Sequence, residues 1–196
     1  EHTVSSRMER LAKCRNAYLD KINELNLVSE NTYVLIVDLD NLNRRLRADA
    51  ILRCVQDSRF QVFTANQLGP YYDISALRAR IWNEHDCWKQ YRELLSLGID
   101  ERNAYLLAVE SKMLRIPNNS DPIEVDSAFG GAAIYASKVL MSATYSSDFE
   151  GDSEICEHVS FHSTIKESGH KIAIAPWLIN SWYNEHTYRF HPLRQL

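Results

Sequence analysis

The chain has 196 residues, enough for one sizeable domain or at most two small ones. Its 22 Lys and Arg against 26 Asp and Glu leave a net charge of -4, which excludes a general electrostatic pull toward nucleic acid or anionic lipid. The longest apolar run, Tyr33–Val37, is strand length and far short of the ~20 residues of a membrane helix.

In chain order, Met8, Leu11, Ala12, Leu19, Ile22 and Leu25 recur at helical spacing and predict a helix over residues 3–27. Ser6 followed by Glu9 forms a capping-box pattern at its start. The run Tyr33–Val37 reads as a buried strand ending at Asp38-Leu39-Asp40. A helix over 45–57 follows, then the alternating segment Phe60–Thr64 as a second strand and a turn at Gly69-Pro70. Residues 75–97 and 101–113 carry helical patterns rich in Leu, Trp and Arg, and 117–122 is a loop. Ile123–Tyr135 is strand-like but broken by Gly130-Gly131. A helix over 154–168 ends at Gly169, and 171–176 is a short strand stopped by Pro176. The tail from 177 is aromatic and His-rich without clear period. Strands interleaved with helices give an α/β class. The four cysteines at 14, 54, 87 and 156 show no CxxC pair. Free thiols in a reducing, cytoplasmic setting are expected, rather than a zinc knuckle or a disulfide scaffold.

Three segments could carry chemistry. Asp38 and Asp40 stand at a strand's carboxyl end, where open α/β sheets bind ligands. Two such carboxylates repel unless a cation or hydrogen-bond donors neutralise them, and a hard divalent ion bridging to phosphate suits them. A solvated strand-end turn is the alternative. The second segment is Cys156–His162. His158 and His162 share one helix face, but Val159 stands where a zincin needs Glu. Glu157 is either a helix-start carboxylate favoured by the dipole or a catalytic base. The third is Phe129-Gly130-Gly131-Ala132, whose glycines allow positive φ or close approach to a ligand, with Asp126 upstream as a further carboxylate.

The strand ending in Asp38 also resembles the nucleophile strand of haloacid-dehalogenase-type phosphatases, which implies Asp38 as nucleophile. Asn41 and Leu42 depart from that pattern, and its later acidic motif has only Gly151-Asp152 as a candidate.

Taken in order, the segments resemble a GT-A glycosyltransferase of the bacterial and viral polysaccharide-modifying kind. The likeness runs through Arg7–Asn16, Tyr33–Asp40, Phe63–Arg78, Ala128–Tyr135 and Cys156–His162. It implies a single domain over 1–196 with a mixed, mainly parallel sheet flanked by helices. The family opens with a βαβ unit before the first helix here, so the resemblance also implies an N-terminally incomplete domain that lacks that unit. It implies a nucleotide sugar (UDP- or GDP-linked), a carbohydrate acceptor, no nucleic acid, and Mn2+ or Mg2+ as cofactor. Asp40 would ligate the metal, and Asp38 would contact the ribose or reach the metal through water. Arg15, Asn16, Gly130 and Gly131 would help hold the donor. His162, Asn180 and His186 are candidates for a third ligand. Glu157 would be the base if the reaction inverts, or would position the acceptor if it retains configuration. Tyr71, Tyr72, Trp82, Trp88, Trp177 and Trp182 could offer sugar platforms, or could simply pack the core. The alternatives are the phosphatase and a non-catalytic sugar- or nucleotide-binding module.

Overall fold

The computed structural model describes residues 6–40, 42–147, 149–150 and 153–191. Helix α1 (Arg7–Glu24) starts at Ser6, whose hydroxyl accepts the Glu9 amide at 3.0 Å, as the capping pattern predicts. Strand β1 (Tyr33–Val37), helix α2 (Ala48–Gln56) and strand β2 (Val62–Gln67) follow. Next come α3 (Cys87–Ser96) and α4 (Glu101–Ala108), capped by Asp86 and Asp100. Strands β3 (Ile123–Val125) and β4 (Ala132–Ala136), a one-turn helix α5 (Ser137–Leu140), and a two-strand ribbon of β5 (Phe149–Glu150) and β6 (Ser153–Glu154) lead to α6 (Glu157–Glu167) and β7 (Ile172–Ser181).

The main sheet has the order β1-β4-β2-β7-β3. The expectation of a mainly parallel sheet does not hold. Only the β2–β7 ladder is parallel, and the other three are antiparallel. The causes are β4, which enters reversed between β1 and β2, and β3, which runs against β7 at the other edge. The strands β1, β2 and β7 still point the same way, so their carboxyl ends share one rim of the sheet with Gly130-Gly131, just before β4.

Side-chain alternation splits the strands between two cores. Val62, Ala133, Tyr135, Ile172 and Ile174 face α1 and α6, where they meet Ala12, Leu19, Phe161 and Ile165. Phe63, Ala132, Ile134, Ala173 and Ala175 face α2 and meet Cys54. Helices thus cover both faces of a mixed five-stranded sheet. Among the described residues no helix is long and apolar enough to cross a membrane. All four cysteines are free, with Cys14 exposed and Cys54 and Cys87 buried.

Two predicted boundaries are wrong for physical reasons. Residues 75–86 are not helical. There the Asn83 amide donates to the carbonyls of Ile74 (3.1 Å) and Leu77 (2.8 Å), and Arg78 pairs with Asp86 at 2.8 Å. Side chains therefore satisfy backbone groups that a helix would pair internally. Pro176 does not end β7. It lies where the register against β2 shifts, between the pairs Thr64–Ile174 and Asn66–Ile179, and its carbonyl accepts from the Asn66 amide at 3.0 Å.

Candidate functional site

The carboxyl rim of the sheet is fastened by three amide side chains, the buried Gln67 and Asn180 and the half-buried Asn43. Asn43 donates to the carbonyls of Asp38 (2.7 Å) and Gly131 (2.9 Å). Asn180 donates to the Asn43 side chain (2.9 Å) and to the Gly130 carbonyl (2.7 Å). Gln67 donates to the Gly130 carbonyl and to Asn180, both at 3.2 Å. Gly130 and Gly131 both adopt positive φ, and a Cβ on Gly130 would stand 2.8 Å from the Ala65 carbonyl oxygen. The Gly130 amide donates to Asp73 at 2.9 Å. These contacts fix the direction in which β1 releases Asp38 and Asp40.

Beyond the rim lies a cleft of about 510 Å³ lined by Asp38, Asp40, Asp73, Glu157, Arg15 and His186, among others. Its central contact is Arg15, on α1. The guanidinium donates to Glu157 at 2.8 Å and to Asp38 at 3.4 Å, over the faces of Phe129 (5.1 Å) and Tyr145 (5.7 Å). Burial opposes the Arg15 charge, but Glu157, Tyr145 and Asp38 outweigh it and hold the group fully protonated. The Asp38 carboxyl is raised above its ordinary value, by burial first; Arg15 pulls it down, while Asp40 and Asp73 push it up. Burial also raises Asp73, against the two amides it accepts from Gly130 and Ala76. Tyr72 stacks on His186 at the mouth, with ring centres 5.3 Å apart.

Glu157 is both a helix-start residue and a cleft residue. It is the first residue of α6 and only 3% exposed, with its second carboxylate oxygen 3.6 Å from the Cys156 sulfur. His158 follows it into the cleft wall and stacks on Phe129 at 3.9 Å. Burial, with Arg15 and His162 adding to it, keeps its imidazole neutral.

Other expectations are corrected. His162 is fully buried, and its ring nitrogens bond Ser127 (3.0 Å) and Tyr135 (2.9 Å), so it holds the core and offers no ligand to the cleft. Asn180 is occupied by the rim network. Asn16 exchanges two 2.9 Å bonds with the Tyr145 backbone, a clamp between segments rather than a donor-binding group. The carbonyls of Gly130 and Gly131 are likewise taken within the protein. Asp126 pairs with Lys166 at 2.9 Å, away from the cleft. Tyr71 and Trp82 pack edge to face on one another, and Trp177 lies under Arg53. Gly151-Asp152 lies outside the described residues.

Comparison with protein-family models, curated proteins and solved structures yields no match.

Among the described residues no group of three or more His, Cys, Asp and Glu side chains is already gathered as a metal cage. Asp38 and Asp40 still fit a hard divalent ion. Both are oxygen donors, and Asp38 is raised by burial first, with repulsion from Asp40 a lesser contribution. Phosphate and water oxygens would complete the shell. Tyr72, one of the candidate aromatic platforms, and Asp73, which sequence patterning did not single out as a site residue, complete the cleft. The signal was faint, since Tyr71-Tyr72-Asp73 has no period. Asp73 gains its place from an amide 57 residues away.

Proposed function

We propose that this chain is a metal-dependent glycosyltransferase, moving a sugar from a nucleoside-diphosphate sugar to a carbohydrate acceptor. One observation carries the reading: Asp38 and Asp40, at the carboxyl end of β1, share one cleft with Glu157, and Arg15 spans Asp38 and Glu157. Asp40, exposed at the mouth, and Asp38 behind it would hold Mn2+ or Mg2+. When bound, such an ion stabilises negative charge on a departing diphosphate.

The chain's own residues divide the remaining work. Asp38 and Asp40 present the carboxylate face that orients the diphosphate. Glu157 sits deeper, where an acceptor hydroxyl can lose its proton to the carboxylate if configuration inverts. If configuration is retained, Glu157 orients that hydroxyl instead. Arg15 bonds one Glu157 oxygen and fixes its rotamer. Trp88 and Tyr105, on α3 and α4, give the outer wall aromatic surface for a sugar ring. Calorimetry with UDP and GDP, with and without manganese, tests the reading. Binding that needs metal, and that Asp40→Ala removes, is expected. Metal-independent binding, or unchanged binding by Asp40→Ala, would remove the metal assignment.

A second reading, a binding module without turnover, draws on the ion pair with Arg15, which already engages one oxygen of the Glu157 carboxylate. It predicts nucleotide binding with neither donor hydrolysis nor transfer.

A further inference from the structure

A second cavity, of about 430 Å³, adjoins the cleft, and Asp40 and Leu42 line both. Its walls come from Leu42 to Arg45 and from the last residue of β7 onward. They carry Arg44, Arg45, Ser181, Trp182 and Asn184. The backbone of this corner is fixed, because the Arg45 amide donates to the Asn180 carbonyl at 2.9 Å. The Arg45 guanidinium lies over the Trp182 indole, 4.5 Å from the ring centre, so charge and flat apolar surface sit side by side.

Two polar atoms here are buried without a hydrogen-bond partner among the described residues: the Ser181 hydroxyl and the Asn184 amide nitrogen. Ser181 is 6% exposed, and the Asn184 side-chain oxygen is already used by the His186 and Thr187 amides. An amide nitrogen can only donate, and a hydroxyl can donate, so both call for an acceptor. Acceptor oxygens beside guanidinium groups describe a phosphate. The acidic neighbours are Asp40, which a divalent ion would screen, and the exposed Glu185. Trp182 is 47% exposed, so part of its ring is open to stacking.

We propose that this second cavity is the nucleoside-diphosphate half-site of the donor. Arg44, Arg45, Ser181 and Asn184 receive the phosphate oxygens, and Trp182 receives the base. The sugar then passes Asp40 into the larger cleft, toward Glu157. This rests on the transferase reading, but it adds where the donor lies and which way round.

The test is calorimetry on the whole chain, using UDP and GDP with manganese and inorganic pyrophosphate with magnesium. The double variant Arg44→Gln/Arg45→Gln should weaken all three probes by roughly ten- to a hundredfold, the loss expected for charge-assisted bonds. Trp182→Leu should weaken UDP and GDP by about tenfold, the scale of one base stack, and leave pyrophosphate nearly unchanged. Circular dichroism establishes that each variant folds. If both variants bind UDP and GDP like wild type while Asp40→Ala does not, the half-site assignment is overturned and the transferase reading stands. If wild type binds neither nucleotide, both fall together.

Discussion

Glu157 is held by Arg15 on one oxygen and faces the Cys156 sulfur with the other, so a change there reaches both chemistry and stability. Glu157→Gln keeps size and removes basicity. If Glu157 is the base, transfer should fall by ~100- to 10,000-fold while donor affinity, measured by calorimetry, stays near wild type. Transfer within a factor of a few of wild type would take Glu157 out of the mechanism. At this scale Asp38, Asp40 and Glu157 were legible in the sequence, because a strand end and a helix start are local features. His162 was not. Helical spacing puts it on one face with His158, but only the tertiary fold shows that Ser127 and Tyr135 claim its ring while His158 reaches the cleft wall.

Among the elements, α1 and α6 are tied by the Arg15–Glu157 pair, in which the side chains are 12% and 3% exposed. Removing one member of such a buried pair strands the other. Arg15→Met should therefore destabilise the fold by about 3–5 kcal/mol, read as a shift in the urea midpoint. The double variant Arg15→Met/Glu157→Gln should recover part of that loss, because no charge is then left unpaired at α6. Additive losses would show that the two residues act independently. The elements were mostly readable. β1 follows from its apolar run as a strand, but it is an edge strand with Tyr33 and Leu35 exposed rather than the buried strand that run predicts, and α6 ends at Gly169, which adopts positive φ. The direction of β4 was not readable, since side-chain alternation is the same for parallel and antiparallel strands. Nor was the loop at 75–86, which long polar side chains organise.

For the whole molecule, the buried histidines set the acid limit. Burial pushes the His162 imidazole from 6.5 down to about 3, and His158 also lies well below its ordinary value. Both are depressed relative to the unfolded chain. Their contribution is fully present above pH ~6.5 and is lost as pH falls toward 3, with a slope of up to about 1.4 kcal/mol per pH unit for each histidine. Asp38 and Asp73 act oppositely: raised above 3.8, they contribute stability at acid pH that is lost as pH rises. The net expectation is a urea midpoint that declines between pH 6.5 and 4, with a shallower decline in His162→Gln. An unchanged slope in that variant would show that His162 does not carry the effect.

Strand β1 pairs with β4 on one side only, and it delivers both aspartates from the margin of the sheet. Its residues should therefore open more often than those of β2, which is bonded on both sides. Deuterium uptake should be fast in Tyr33–Val37 and slow in Val62–Gln67. A nucleoside diphosphate with manganese, bound at Asp40, would draw that margin into the protected part of the molecule and slow its uptake. Equal uptake in the two strands would show that the margin is as firmly held as the centre. In that case the aspartates would form a rigid platform, and binding would leave their mobility unchanged.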